Sequence, residues 1–382
     1  MPGPARPRPP RLLRGGPSRR PRPRPCPVPA ARASPAAPSE ATAAATPDPT
    51  LGDLQAALER VTPEAPAAAA EAALEVAGAL RRAGAGAGGG PGLRAFGRGG
   101  QVPKRAYTLD ELRLHRIAAE RVLSPQDTQL DGARAVLRAA VVGGFGFAAF
   151  GLRLDPNQLT GLAILGLGLY TADQVRFGGG VGFLAVDTLG RRLNPGYAER
   201  VARHEAGHFL VAYLVGVLPA AYTLSSLDAY RRYRAFSVQA GCTFCDAEFR
   251  REVAAGKLRS STLDSFTSIA LAGMAAEYLA YGESEGGQDD TLRLDGLLQG
   301  LGFTQKKAEV QVRWGLINAV LLLRRHRDVH ERLAQAMAGG ASVTDCIALI
   351  ERGVRPEDLA PEPGPEGPEG AEGAEGAPEG AA

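Results

Sequence analysis

The 382-residue chain holds only four cysteines, one of them in the leading segment. So few cannot staple a scaffold of this size, and they point to a reducing compartment. No G-x-x-x-x-G-K-[ST] run occurs, which excludes a P-loop nucleotide site. No carboxylate precedes Glu40 and no base follows Arg355. The nine arginines before Glu40 and the eight acids after Arg355 nearly cancel. The net charge of +3 and the pI near 8.7 therefore describe the ends of the chain more than its middle. A basic pI of that origin is no sign of nucleic-acid binding, and no nucleic-acid partner is expected. What the chain has in excess is glycine and proline, 49 and 29, which gather in the ends and one linker.

Five segments follow. Residues 1–49 are rich in Arg, Pro and Ala, with no apolar secretory core. They read as a disordered organelle transit segment, with a plain basic arm as the alternative. Residues 50–106 open with Thr50 and Asp53 as a capping box and Leu51, Leu54, Leu58 and Val61 on one stripe. Pro63 and Pro66 break the run, an Ala-rich helix ends at Gly84, and a Gly-rich linker reaches Gly100. This pair of helices is expected to form a separate small module or a flexible stalk. Residues 107–193 carry a helix from Leu109 to Leu123, then two apolar runs of 14 and 17 uncharged residues around the turn Asp155-Pro156-Asn157. The runs fit either a membrane hairpin with Arg134, Arg138 and Arg176 on one side, or a buried core hairpin. Gly178 to Gly180 mark a flexible break. Residues 194–355 read as mostly helical with one strand, Phe236–Phe244. Residues 356–382 form a disordered acidic tail. The fold class expected is mainly α, a helical domain with a small β element preceded by an apolar helical hairpin.

The chemistry lies in His204-Glu205-Ala206-Gly207-His208, an H-E-x-x-H. Asn194-Pro195-Gly196 predicts the start of its helix, and Gly216 with Pro219 predicts the stop. Residues four apart share a helix face, so both imidazoles can reach one cation. Zinc takes such nitrogens in a tetrahedral site. Glu205 projects to the adjacent side, placed to accept a proton from a water. The following residues, Phe209 to Val215, are apolar all round, which predicts a buried helix whose polar groups need partners. His326 and His330 share the four-residue spacing but sit among Arg324, Arg325, Arg327 and Arg332, and read as a solvated cationic surface. A third ligand is required, and Asp228, Glu277, Asp289 and Asp290 compete for the place. Asp228 lies in a polar stretch, Glu277 is the sole charge in an apolar helix, and one of Asp289 and Asp290 is expected to be a helix N-cap. Cys242 and Cys245 lack further ligands nearby and read as structural thiols. Ser237, Val238, Gln239, Ala240 and Gly241 are candidates for an edge strand that pairs with an extended substrate.

Several separated motifs then recur in one order: the H-E-A-G-H helix, Leu271 to Glu277, Tyr281-Gly282 and Gly286-Gly287-Gln288-Asp289-Asp290. Together they resemble the protease domain of FtsH zinc metalloproteases. With Leu301 to Lys307, Val312-Arg313-Trp314 and Leu321 to His326, the chain looks closest to plant and algal plastid FtsH-like proteins that lack the AAA ATPase module. The resemblance spans roughly Tyr107 to Arg355 and implies a helical metallopeptidase domain and a Zn²⁺ cofactor. In that family an Asp four residues after a glycine is the third ligand, which implies Asp290 and leaves Glu277 to orient a ligand from behind. It also implies a chloroplast location, the mitochondrion being the alternative, and membrane segments at the apolar runs, in a thylakoid or envelope membrane. The implied activity is hydrolysis of unfolded or partner-presented polypeptides, with AAA ATPase subunits acting in trans. A non-proteolytic scaffold or chaperone subunit of an FtsH-type complex is the alternative.

Overall fold

The computed structural model describes residues 49–62, 67–85, 92–125, 128–234, 236 and 240–360. The expected transit segment and the acidic tail beyond Ala360 lie outside the described residues, as do Ser237, Val238 and Gln239. The architecture is mainly helical, with one two-stranded sheet among the described residues.

Helix α1 (Leu51–Leu58) opens on the Thr50–Asp53 capping box, both halves of which form. It packs on α2 (Ala67–Ala85), and the pair is not a separate module. Leu54, Leu58, Ala73, Ala77 and Leu80 are buried in the same core as the helices that follow. The described end of the linker is pinned as well. The N–H groups of Arg94 and Ala95 donate to the buried Glu351 carboxylate, which also accepts from Tyr213 Oη. Gly97 N–H and Gly99 N–H bond the carbonyls of Tyr213 and Leu214. Hydrophobic patterning marked these helices as amphipathic but could not say which core their apolar stripe would join.

The expected Leu109–Leu123 helix is instead two short ones, α3 (Leu109–Leu114) and α4 (Ala119–Val122). Arg116 breaks the run at φ 55°. Tertiary bonds satisfy the break: Tyr278 Oη donates to Arg116 O and accepts from Ala118 N–H, and the Arg324 guanidinium holds the His115 and Arg116 carbonyls. Helix α5 (Asp131–Gly146) runs through a π turn (Phe147–Gly151) toward α6 (Pro156–Phe177), which Asp155 caps with Gln158. Left-handed Gly178 and Gly179 then turn the chain into α7 (Gly180–Leu193), a helix that the glycine-rich sequence concealed.

Helix α8 (Pro195–Val215) is the centre of the molecule. Asn194 caps it by accepting from Gly196 N–H, Pro195 takes its first turn, and Gly216 stops it at φ 92°. Phe209 to Leu214 are wholly buried. β1 (Pro219–Thr223) leads into α9 (Ser226–Tyr233) and pairs antiparallel with β2 (Gly241–Phe244). Of the expected Phe236–Phe244 strand, the described residues place Gly241–Phe244 in the ladder, while Phe236 stacks on Tyr230 and meets Phe177 edge-on. Helices α10 (Ala247–Ala254), α11 (Ser260–Ala270) and α12 (Ala272–Tyr281) follow, and α12 crosses α8 closely. A side chain at Gly207 would put its Cβ 2.8 Å from the Ala272 carbonyl, so only glycine admits that crossing. Helices α13 (Gln288–Gly300), α14 (Gln305–Arg325), α15 (Arg327–Ala338) and α16 (Val343–Gly353) complete the shell.

The expected surface pair His326 and His330 is buried, at 3% and 8% exposure. A break at His326 ends α14 and starts α15, so both rings turn inward. His330 Nε2 bonds the Arg203 carbonyl. Burial, the largest influence on each, holds both histidines below their ordinary range, and they are structural.

Leu58→Ala should destabilise the whole molecule by about 2–5 kcal/mol, as core truncations do. Denaturant unfolding followed by helix signal is expected to show one shifted transition. A separate early transition, with the main one unmoved, would mean that the leading helices stand apart.

Candidate metal centre

Three elements bring the centre together. α8 carries His204, Glu205 and His208, α12 carries Glu277, and the first turn of α13 carries Asp290. Gly287, at φ 94°, takes the cap position of α13, so neither Asp289 nor Asp290 is the N-cap expected of one of them. Asp289 is exposed, whereas Asp290 turns toward the histidines. Asp228 is elsewhere, in the first turn of α9, where its N–H is capped by Ser225.

His204 Nδ1 lies 2.8 Å from Glu277 Oε1, and His208 Nδ1 lies 2.7 Å from the Ile269 carbonyl. An ionised carboxylate and a carbonyl only accept, so those partners assign the ring proton to Nδ1 in both rings and leave a lone pair on each Nε2. The two Nε2 atoms are 3.0 Å apart, and Asp290 Oδ2 is 3.1 and 3.2 Å from them. With both rings neutral, three acceptors thus meet at one point, which a proton or a cation must occupy. Ligands on a tetrahedral cation with bonds of about 2.0–2.1 Å sit about 3.3 Å from one another, within a few tenths of the observed triangle. These residues form the one candidate metal-binding triad among those described.

The electrostatics point the same way. Burial opposes a proton on His204, yet the bonds and charges of Asp290 and Glu277 push that ring well above its ordinary range. His208 is raised too, again against burial, chiefly by the charge of Asp290. Burial works to raise Asp290, but His208 and His204 outweigh it and hold the carboxyl well below the usual range. The same contest at Glu277 ends at about 2, with His204, the Glu285 amide and Arg200 overcoming burial. The pocket favours positive charge at this point, a proton in the free site or a cation in its place.

The space is also reserved. A Cβ on Gly273 would lie 2.3 Å from His204 Nε2 and 2.5 Å from His208 Nε2. Beside the triad, Glu205 is 6% exposed and its Oε2 has no hydrogen-bond partner. A buried carboxylate oxygen left open in this way calls for a water or a substrate group. Both sides open into a cavity of about 740 Å³, walled by residues that include Gly241, Cys242, Phe244, Phe249 and Ile269. Ala240 and Gly241, of the expected substrate strand, line this cavity. Cys242 donates its thiol to the Glu205 main-chain oxygen at 3.4 Å, and burial, then Glu205, pushes that thiol well above its ordinary range. Cys245 is pushed up to about 12, chiefly by burial. Neither is poised as a thiolate nucleophile.

Sequence reasoning missed Arg200 and Glu285. Arg200 Nη1 bonds Glu277 Oε2 at 2.9 Å and Nη2 meets Glu285 Oε1 at 3.2 Å. A signal was present, since Arg200, His204 and His208 recur at four-residue spacing on one face.

Gly273→Ala is expected to abolish metal uptake while leaving the helical signal near wild type. Metal content after dialysis, beside circular dichroism, checks this, and a full metal complement in the variant would contradict it. No family model, curated protein or solved structure matches the chain.

Proposed function

We propose that the chain is a zinc metalloendopeptidase of the FtsH-like type, hydrolysing peptide bonds in polypeptides already unfolded or presented by a partner. The observation that carries this reading is the trio of convergent ligand atoms, His204 Nε2, His208 Nε2 and Asp290 Oδ2, with the unpaired Glu205 Oε2 beside it. Two imidazoles and one carboxylate are the donor set of a catalytic zinc site that keeps a place for water. Bound zinc supplies Lewis acidity to the scissile carbonyl and brings the pKa of a water to about 7. Glu205 accepts the nucleophile's proton and delivers it to the leaving nitrogen. Glu277 keeps His204 in the ligating tautomer, and the Ile269 carbonyl does the same for His208. β2 pairs with β1 along one edge only, and its cavity-side residues offer main-chain groups to an extended substrate. With no P-loop in the sequence, unfolding falls to a partner, an AAA ATPase in trans. The chloroplast placement rests on the family resemblance alone, since an Arg-rich leading segment serves chloroplast and mitochondrion alike.

The apolar hairpin belongs, in this reading, in a bilayer. Asp131–Gly151 spans 21 residues, is 11% buried across its apolar window, and is long and apolar enough to cross a membrane. α6 has 22 residues, none of them buried. At 1.5 Å per residue each is about 32 Å long, against a hydrocarbon core of about 30 Å. Phe150, Leu167 and Val175 stand 86%, 67% and 83% exposed, which water penalises and lipid does not.

Glu205→Gln should retain one zinc per chain and lose casein cleavage by several orders of magnitude. Wild type that binds zinc yet cleaves no casein, alone or with an AAA partner, supports the scaffold reading instead. The full chain should float with lipid vesicles, and Val142→Asp with Leu165→Asp should leave it in the soluble fraction. Wild type that stays soluble beside the vesicles removes the bilayer assignment.

A further inference from the structure

Glu277 is 2% exposed, the only charge of a buried apolar helix. A carboxylate so placed is costly unless it is paired and fully bonded. Its partners are His204 Nδ1, the N–H groups of Glu285 at 2.9 Å and Gly286 at 3.2 Å, and the Arg200 guanidinium at 2.9 Å. Among these, Arg200 carries the only permanent positive charge. Its side chain is 13% exposed and its guanidinium lies over the Tyr281 ring, 4.1 Å from the centroid. The second arm of its fork takes Glu285, in the loop that runs directly to Asp290. One planar group therefore joins the helix of His204 and His208, the helix of Glu277, and the loop that delivers the third candidate ligand.

We infer that Arg200 is the positioning residue of the metal centre. It holds the Glu277 carboxylate in place against His204 Nδ1, so that Nε2 faces the centre, and it ties the Asp290 loop to the histidine helix. This rests on the metal-site reading above. Arg200 touches neither candidate ligand nor the Glu205 carboxylate; it acts through Glu277 and Glu285. A lysine in its place keeps the charge but has no fork to hold two carboxylates at once.

The test is a double-mutant cycle on the full chain, read as the zinc dissociation constant in competition with a chromophoric chelator. Arg200→Met should weaken zinc about 10–100-fold, as loss of a partner behind a ligand does. Arg200→Lys should fall between Met and wild type. In a Glu277→Gln background the Arg200→Met effect should shrink below about threefold, since the partner through which Arg200 acts is already gone. A merely structural role would lower thermal stability in both backgrounds and leave the dissociation constant unmoved. Equal losses of affinity in the two backgrounds, or no loss in Arg200→Met or Arg200→Lys, would overturn the inference while leaving the metal site intact. Should Arg200→Met fail to fold, Arg200→Lys carries the same cycle. A wild type that takes up no zinc would overturn both.

Discussion

His204 and His208 each commit the Nδ1 proton to a fixed acceptor, and that single constraint shapes everything around the cavity. Two lone pairs and a carboxylate oxygen are brought to face one another at about van der Waals contact or less, where a proton or a cation between them makes the arrangement favourable. The acceptors cannot turn away. Helix α8 holds both rings in a buried stretch, and Glu277 and the Ile269 carbonyl fix their orientation from behind. The strong opposed shifts of the imidazoles and of Asp290 are the electrostatic trace of the same crowding.

Packing makes that crowding possible. The helix of the histidines and the helix of Glu277 approach through Gly207 and Gly273, where a methyl group would strike backbone at the first and both Nε2 atoms at the second. Arg200 then draws Glu277 and Glu285 together across the seam. Fold and candidate centre thus depend on the same contacts: the glycines that let the helices touch also leave the volume that an ion would fill. The leading helices and the pinned segment after them close the shell around the C-terminal end of α8, through Glu351 and Tyr213. The apolar hairpin, by contrast, packs little of its surface inside the molecule.

Much of the centre was legible from residues alone. The turn Asn194-Pro195-Gly196, the H-E-x-x-H spacing and the stop at Gly216 are local signals, and α8 follows them. The solitary charge of Glu277 in an apolar helix already implied a buried partner, and His204 and Arg200 supply it. What periodicity could not carry was long-range choice. Selecting Asp290 from four carboxylates needed the family resemblance, since spacing alone left all of them open. The break at Arg116 is held by Tyr278 and Arg324, about 160 and 210 residues away, which no local pattern encodes. His326 and His330 sat among arginines in sequence, yet a change of helix direction turns them inward. The stripe of α1 was read correctly as amphipathic, but an apolar face does not state what it will pack against.

The central claim is that His204, His208 and Asp290 turn three ligand atoms onto the place of one cation. Calorimetric titration of the metal-free chain with zinc, in two buffers of different ionisation enthalpy, tests it most directly. Because Asp290 raises both imidazoles against burial, and Glu277 raises His204 as well, zinc has to displace protons from the site, and its affinity rises with pH until they are gone. The account predicts one ion per chain, with proton release that shrinks as pH climbs above the raised histidine range. Absence of binding, or binding with no proton released and no pH dependence between about pH 6 and 8, would contradict it.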